Sequence, residues 1–309
     1  MDISVIIPIY NEQENIPILH NELKTVLKGY KYEIIYIDDG STDHSFQVLE
    51  KIKDRNTKII KLKKRFTKSP ALLAGFNNSE GNIVITMDGD LQNDPKDIPK
   101  FLEKIGDYDL VNGWRINRQD EQNKILPSKI YNKLTRRILK TKLHDLNCGM
   151  KAIKKEVIKD IDLYGEMHRY FPLLLQQMGY KITEIKINHR LRIHGKSKYN
   201  YNRLLKGLYD LIYLKFWLDF SQKPSHFFST LGLAQYILAF FIFLEQIIKA
   251  VALRYFNVGP VLLLGILLTI TGTLFITSGF LAEIQARIYF STKKTYIIEK
   301  IIQNKKYLN

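Results

Sequence analysis

In Ile83-Val84-Ile85-Thr86-Met87-Asp88-Gly89-Asp90-Leu91-Gln92-Asn93-Asp94-Pro95, a short run of mostly β-branched apolar residues stops at two carboxylates and then meets an Asp-Pro pair. The run reads as a buried strand, Asn82 to Met87. Asp94 can cap a helix whose first position is Pro95, which predicts a helix from Pro95 to Ile105. The same alternation extends outward on both sides. Ile3–Ile9, Tyr32–Ile37, Lys58–Leu62 and Asp109–Asn112 read as strands, and Glu14–Leu27, Ser45–Lys53 and Pro70–Asn77 have helical spacing. Strand and helix in alternation imply an α/β fold with a mostly parallel sheet covered on both faces. Ligands bind beyond the carboxyl ends of such strands. Tyr10-Asn11-Glu12, Asp38-Asp39-Gly40-Ser41 and Asp88-Gly89-Asp90 all fall there.

Each of these segments admits two readings on its own. Asp88-Gly89-Asp90 offers two carboxylates to a hard cation such as Mg²⁺ or Mn²⁺, which binds through one or two carboxylates plus substrate phosphates; it also suits a solvated turn. Asp38-Asp39-Gly40-Ser41-Thr42-Asp43 can hydrogen-bond a base or ribose, and Ser41 or Thr42 can equally cap the next helix. Tyr10 can stack on a base or simply join a strand to a helix.

Further along come a basic helix over Ser128–Leu139, a strand at Gly149–Ile153, helices near Lys155 and Phe171, and a strand over Ile182–Asn188. Tyr201–Phe220 mixes Leu, Ile, Tyr, Phe and Trp217 with Arg203, Lys206 and Lys215, which fits a helix lying among lipid headgroups or a buried amphipathic helix. Phe227–Ile248 is apolar for 22 residues apart from Ser229, Thr230, Gln235, Glu245 and Gln246, and Val261–Ala282 adds another 22 without a charge. A bilayer span needs about 20 residues. The tail from Arg287 is basic, which places it in the cytoplasm and, with two spans, the front of the chain there too. The expected layout is residues 1–200 cytoplasmic, 201–225 juxtamembrane, 226–284 two spans at about 227–248 and 261–282, and 285–309 a basic cytoplasmic tail. The glycines from Gly265 to Gly279 would allow close helix packing, without a Gly-x-x-x-Gly repeat.

Composition agrees with a folded chain and narrows its partners. Of 309 residues, 45% are hydrophobic and 25% charged, which excludes wholesale disorder. Lys and Arg number 47 against 31 Asp and Glu, a formal charge of +16 that calls for an acidic partner: nucleic acid, an anionic membrane surface or a phosphorylated substrate. One cysteine, Cys148, excludes an intrachain disulfide and any multi-cysteine zinc site, and points to a reducing compartment. Met1–Tyr10 has no basic region followed by a long apolar one, so no signal peptide is expected. Cys148 reads as a small buried residue, and His189 and His194, five apart, as non-ligands.

Taken together, Val5-Ile6-Ile7-Pro8-Ile9-Tyr10-Asn11-Glu12, Asp38-Asp39-Gly40-Ser41-Thr42-Asp43 and Asp88-Gly89-Asp90-Leu91-Gln92-Asn93-Asp94-Pro95 resemble the family 2 glycosyltransferases of the GT-A fold. Val111-Asn112-Gly113-Trp114-Arg115, Asn147-Cys148-Gly149-Met150-Lys151 and Arg192-Ile193-His194-Gly195-Lys196-Ser197-Lys198-Tyr199 resemble in particular the polyprenyl-phosphate glycosyltransferases. The resemblance covers essentially the whole chain, the two spans included.

The resemblance implies a site. Pro8, Tyr10, Asn11, Glu12, Asp38, Asp39, Asp88 and Gly89 would hold the nucleotide. Asp90, Gln92 and Asp88 would hold Mg²⁺ or Mn²⁺. Asp90, Arg115, Arg192 and Lys198 would act on the diphosphate, while Lys124, Ser128, Arg115 and Lys198 would receive the acceptor phosphate. Lys124 stands where relatives often have Arg, which keeps the charge and loses the bidentate fork. A larger departure is Lys64-Arg65-Phe66-Thr67, where relatives usually read Arg-Asn-Phe-Gly.

The acceptor is also legible. A sugar hydroxyl needs a general base, whereas a phosphate oxygen is already anionic at neutral pH. Saccharide-building relatives carry a Glu-Asp base motif and a Gln-x-x-Arg-Trp segment; no Glu-Asp pair occurs here, and Gln176-Gln177-Met178-Gly179 lacks the Arg-Trp. The expected activity is inverting, metal-dependent transfer of one sugar from a nucleotide sugar, UDP-linked, to undecaprenyl phosphate. The implied partners are donor, lipid acceptor and bilayer, with no nucleic acid; assembly into a homo-oligomer is suggested by the resemblance alone. The alternatives are a glycosyltransferase acting on a saccharide hydroxyl, and an inactive membrane scaffold of the same fold.

Overall fold

A computed structural model of the chain describes residues 2–116, 134–161, 163, 165–193, 203–252, 254 and 258–291, with the backbone alone at 203–208 and 210. The chain divides into two compact units, Met1–Tyr209 and Asp210–Asn309.

The first unit is built on seven strands: β1 (Ile3–Ile9), β2 (Tyr32–Asp38), β3 (Thr57–Lys61), β4 (Ile83–Thr86), β5 (Leu110–Arg115), β6 (Lys151–Lys154) and β7 (Ile182–Ile187). Their spatial order is β3-β2-β1-β4-β6-β5-β7. Helices α1 (Asn15–Val26), α2 (Ser45–Ile52), α3 (Lys68–Asn77) and α4 (Ile98–Lys104) connect the first strands; residues 134–139 are helical (α5), and α6 (Lys155–Ile158) and α7 (Phe171–Gln177) follow β6. Pairs β1/β2, β2/β3, β1/β4 and β5/β7 are parallel, while β6 runs antiparallel to both β4 and β5. The sheet is therefore mixed, mostly parallel, as the GT-A expectation requires.

Period-two alternation sorts the strand residues onto two faces, and both are buried. Val5, Ile7, Ile9, Ile34, Tyr36 and Ile85 pack with Ile16, Leu19 and Leu23 of α1, Leu49 of α2 and Phe101 of α4. Ile6, Ile35, Ile37, Val84 and Ile153 pack on the other face with Ala71, Leu72 and Phe76 of α3, Val157 of α6, and Phe171 and Leu175 of α7. A rigid, doubly covered sheet fixes the carboxyl ends of β1, β2 and β4 side by side.

Pro95 opens a 3₁₀ turn, Pro95–Asp97, that leads into α4, and the Asp94 carboxylate accepts from Lys96 N at 3.0 Å, so the expected cap is present. The expected Ser41 or Thr42 cap on α2 is not. That helix begins after His44 with no side-chain cap.

The second unit comprises α8 (Arg203–Phe220, from Asp210 onward), α9 (Pro224–Ala252) and α10 (Pro260–Ser291). The last two are long and apolar enough to cross a membrane, and they expose most of their apolar surface, as suits lipid. Gly265, Gly272 and Gly279 recur at seven-residue spacing and face α9. A Cβ on Gly272 would lie 3.1 Å from Gly232 O, and one on Gly279 2.9 Å from Phe228 Cβ. The glycines thus let the two helices approach closely. Polar side chains add cross-links: Thr271 Oγ1 donates to Gln235 Oε1 at 2.7 Å, and Ser225 Oγ to Glu283 Oε2 at 2.9 Å.

Candidate active site

The loops after β1 and β2 are knitted together. Asn11, at φ 57°, turns the chain sharply, and Asn11 N donates to Ser41 Oγ at 3.0 Å, Glu12 N to Ser45 Oγ at 2.8 Å and Thr42 N to Asn11 Oδ1 at 2.8 Å. The hydroxyl expected to cap α2 instead holds the β1 loop. Pro8 pairs with Ile37 in the sheet, and Gly89 lies against Pro8 and Ile9. Asp38 accepts from Ser41 N at 3.0 Å through one oxygen; its other oxygen is buried without a partner among the described residues. Asp39 is turned the other way. Its two oxygens accept from Phe66 N at 2.6 Å and Thr67 N at 2.9 Å, and burial raises its carboxyl above the ordinary value in spite of those donors.

Asp88 and Asp90 extend beyond β4, each against a cation. Asp88 is paired with Lys68, and Asp90 with Arg192, whose other terminal nitrogen lies 3.8 Å from Glu12 Oε1. Glu12 in turn accepts from Asn15 Nδ2 at 2.5 Å. Leu91, between the carboxylate pair and Gln92, is buried at φ 63°, a conformation that disfavours a branched side chain and is typical of strained functional turns. It brings Gln92 N back onto Asp90 Oδ1 at 3.2 Å, while Gln92 O accepts from Arg190 N at 2.9 Å. The segment carrying Arg192 is thereby fastened beside the Asp90 turn.

The two carboxyls are driven in opposite directions. Burial would raise Asp88, but Lys68, with Arg115 and Lys151 behind it, outweighs burial and holds it low. At Asp90, burial and then the Asp88 charge raise the carboxyl, and Arg192 offsets only part. An added cation would favour the ionised form of a carboxyl raised in this way.

Gly149 leaves room for Asp88: a Cβ there would lie 2.5 Å from Asp88 Cγ and closer still to Oδ2. Gly149→Ala must therefore push the Asp88 carboxylate aside. A misplacement near 1 Å costs about a hundredfold in rate, and that loss in kcat is the expected result for the full chain, with circular dichroism reporting an unchanged fold.

Arg115 is bound on one side by Asp145, with Nε to Oδ2 at 2.7 Å and Nη2 to Oδ1 at 2.9 Å. Burial opposes the charge, yet Asp145 more than restores it and raises Arg115 above its ordinary value. Glu184 orders the same turn, accepting from His144 N at 2.6 Å, Asp145 N at 3.1 Å and Asn112 Nδ2 at 3.0 Å. Beneath Asp88, Lys151 is buried and donates to Cys148 O; burial lowers its ammonium to about 8. Burial lifts the Cys148 thiol to about 11, so it is an inert core residue, as read from the sequence.

The structure thus gathers Glu12, Asp88, Asp90, Gln92 and Arg192 around one turn, with Asp38 and Asp39 at the neighbouring strand end. Lys124, Ser128 and Lys198 lie outside the described residues. Lys68, Asp145, Lys151 and Glu184 were not singled out as site residues. Lys68, Asp145 and Glu184 act through partners 20 or more positions away in the chain, so nothing local marks them, whereas Lys151 closes a quoted motif and bonds Cys148 O within it.

Among the described residues no three His, Cys, Asp or Glu side chains form a metal cage. Two carboxylates at a turn that also carries Gln92 nevertheless fit a hard cation that takes its remaining ligands from a diphosphate.

Comparison with known proteins gives the family and the fold. The profile of Glycosyl transferase family 2 matches residues 4–162. Dodecaprenyl-phosphate galacturonate synthase of Rhizobium johnstonii is 34% identical, covering 98% of this chain and 94% of that protein. Undecaprenyl-phosphate 4-deoxy-4-formamido-L-arabinose transferase of Pseudomonas fluorescens is 31% identical, covering 98% and 90%. Glucosyl-3-phosphoglycerate synthase from Mycobacterium tuberculosis, solved with Mn²⁺, UDP-glucose and phosphoglyceric acid, superposes with a TM-score of 0.55 at 18% identity, covering 70% of this chain and 79% of that one. At that identity the likeness speaks for the fold.

Proposed function

The chain belongs to glycosyl transferase family 2 and is a glycosyltransferase, and from that premise we propose that it moves a sugar, with inversion, from a UDP-linked donor to a polyprenyl phosphate, undecaprenyl phosphate in particular. The observation that carries the acceptor is similarity along 98% of the chain, spans included, to two transferases that are both named for a polyprenyl phosphate. An anionic acceptor needs no general base, so the residues of this chain have to bind, orient and neutralise. Arg192, seated at Asp90 and Glu12, and Arg115, oriented by Asp145, bring positive charge to the diphosphate. Lys124, Ser128 and Lys198 receive the lipid phosphate. Asp90, Asp88 and Gln92 would hold Mg²⁺ or Mn²⁺, which stabilises the charge of the departing nucleoside diphosphate when bound; the Mn²⁺ and UDP-glucose of the structural neighbour favour this metal class and nucleotide.

The two long apolar helices would tether the chain to the bilayer that carries the isoprenoid acceptor. The protein is read as lying in the cytoplasmic membrane with residues 1–200 and the tail 285–309 on the cytoplasmic side, by the positive-inside rule. Each Lys or Arg near an anionic bilayer is worth about 1 kcal/mol, which accounts for a charge of +16 without nucleic acid.

The acceptor is tested by offering radiolabelled UDP-sugars with undecaprenyl phosphate, undecaprenol or a saccharide. The expected product forms with the phosphate alone, is chloroform-soluble and releases its sugar in mild acid. Labelling of undecaprenol or of the saccharide would contradict the reading.

A further inference from the structure

The loop that departs from the family pattern, Lys64-Arg65-Phe66-Thr67, is built into the end of β2. Both oxygens of Asp39 accept from its backbone, at Phe66 N and Thr67 N. Thr67 sits at φ 78°, and Gly40, at φ 69°, has no room for a side chain because a Cβ would lie 2.6 Å from Lys64 C and 2.7 Å from Arg65 N. These constraints place Arg65, itself exposed, with its guanidinium 4.1 Å from the centre of the Tyr10 ring. Next to Tyr10 in register, Asp38 pairs with Ile9 and keeps one buried oxygen without a partner among the described residues. An aromatic face, a flat cation parked over it and an unsatisfied carboxylate oxygen together match a planar heterocycle with an N–H edge. Guanidinium planes and tyrosine rings are the surfaces on which bases stack.

We infer that Arg65 grips the nucleobase of the donor: the base lies on Tyr10, and the guanidinium, displaced outward from the ring, covers the base's other face. Asp39 acts through this loop as a positioning residue. The inference rests on the nucleotide donor proposed above. It makes Arg65 a residue of base recognition rather than of the diphosphate, and its substitution should change donor affinity and leave the chemical step alone.

The test is titration calorimetry of the full-length protein in detergent with UDP, GDP and inorganic pyrophosphate, each with Mn²⁺, together with steady-state rates. For Arg65→Ala the expected result is a roughly tenfold weaker binding of nucleoside diphosphate and an equal rise in donor KM, with kcat within about twofold and pyrophosphate binding unchanged. Arg65→Lys, which keeps the charge and loses the plane, should behave like the alanine variant. Unchanged nucleotide binding in Arg65→Ala overturns the inference, and so does full recovery in Arg65→Lys or a parallel loss of pyrophosphate binding, since either means a phosphate contact by charge. A wild-type protein that binds neither UDP nor GDP overturns the donor reading itself and this inference with it.

Discussion

Asp90→Ala is expected to lower sugar transfer by about a thousandfold, the scale on which removing one preorganised group at a developing charge slows an enzyme. Asp90 is paired with Arg192, and both lie within reach of Glu12. In the proposed site, alanine would remove a carboxylate from the cation and leave Arg192 to settle on Glu12, so two contributions to the diphosphate would be lost together. Stability should move the other way. The Asp90 carboxyl is raised by burial and by Asp88; a carboxylate harder to ionise folded than unfolded weakens the fold at neutral pH, and less so as pH falls toward its folded value. The variant should therefore melt no lower than wild type at pH 7 while Mn²⁺ binding, read by electron paramagnetic resonance, is lost. A variant retaining a tenth of the activity would contradict the assignment.

Asp145→Ala should have the largest effect on stability. The side chains of Arg115 and Asp145 are 13% and 5% exposed and joined by two near-parallel hydrogen bonds. Removing one partner of a buried pair costs about 3–5 kcal/mol, because the other charge is left unpaired. For a domain of this size that is a fall in Tm on the order of 10 °C. Arg115→Met combined with Asp145→Leu, which removes both charges, should recover most of the stability and none of the transfer. A single variant that melts like wild type would show that the pair does not support the fold.

The strands were legible because their alternation is local: β1 runs from Ile3 to Ile9, as expected, and β2 starts where predicted, at Tyr32. The direction of β6 was not, since an apolar run reads the same either way and only its pairing with β4 and β5 orients it. The two long apolar helices were equally plain, as length and hydropathy are all they require. At the site, the carboxylates of Asp88 and Asp90 were visible, but their counter-cations were of unequal legibility. Arg192 stood in a motif; Lys68 lay in a stretch that looked ordinary. Asp145 could not have been found, because its significance is its two bonds to a residue 30 positions away. The departure at Lys64–Thr67 was conspicuous in the sequence, whereas its attachment to Asp39 depends on two backbone donors that no side-chain pattern encodes.

The most direct measurement incubates the detergent-purified protein with undecaprenyl phosphate, Mn²⁺ and a panel of radiolabelled nucleotide sugars, and counts label in the chloroform phase. One UDP-sugar is expected to dominate, and its label to disappear with EDTA and with Asp90→Ala. Nucleotide binding without label in lipid from any donor, or lipid labelling that survives EDTA and Asp90→Ala, would contradict that expectation.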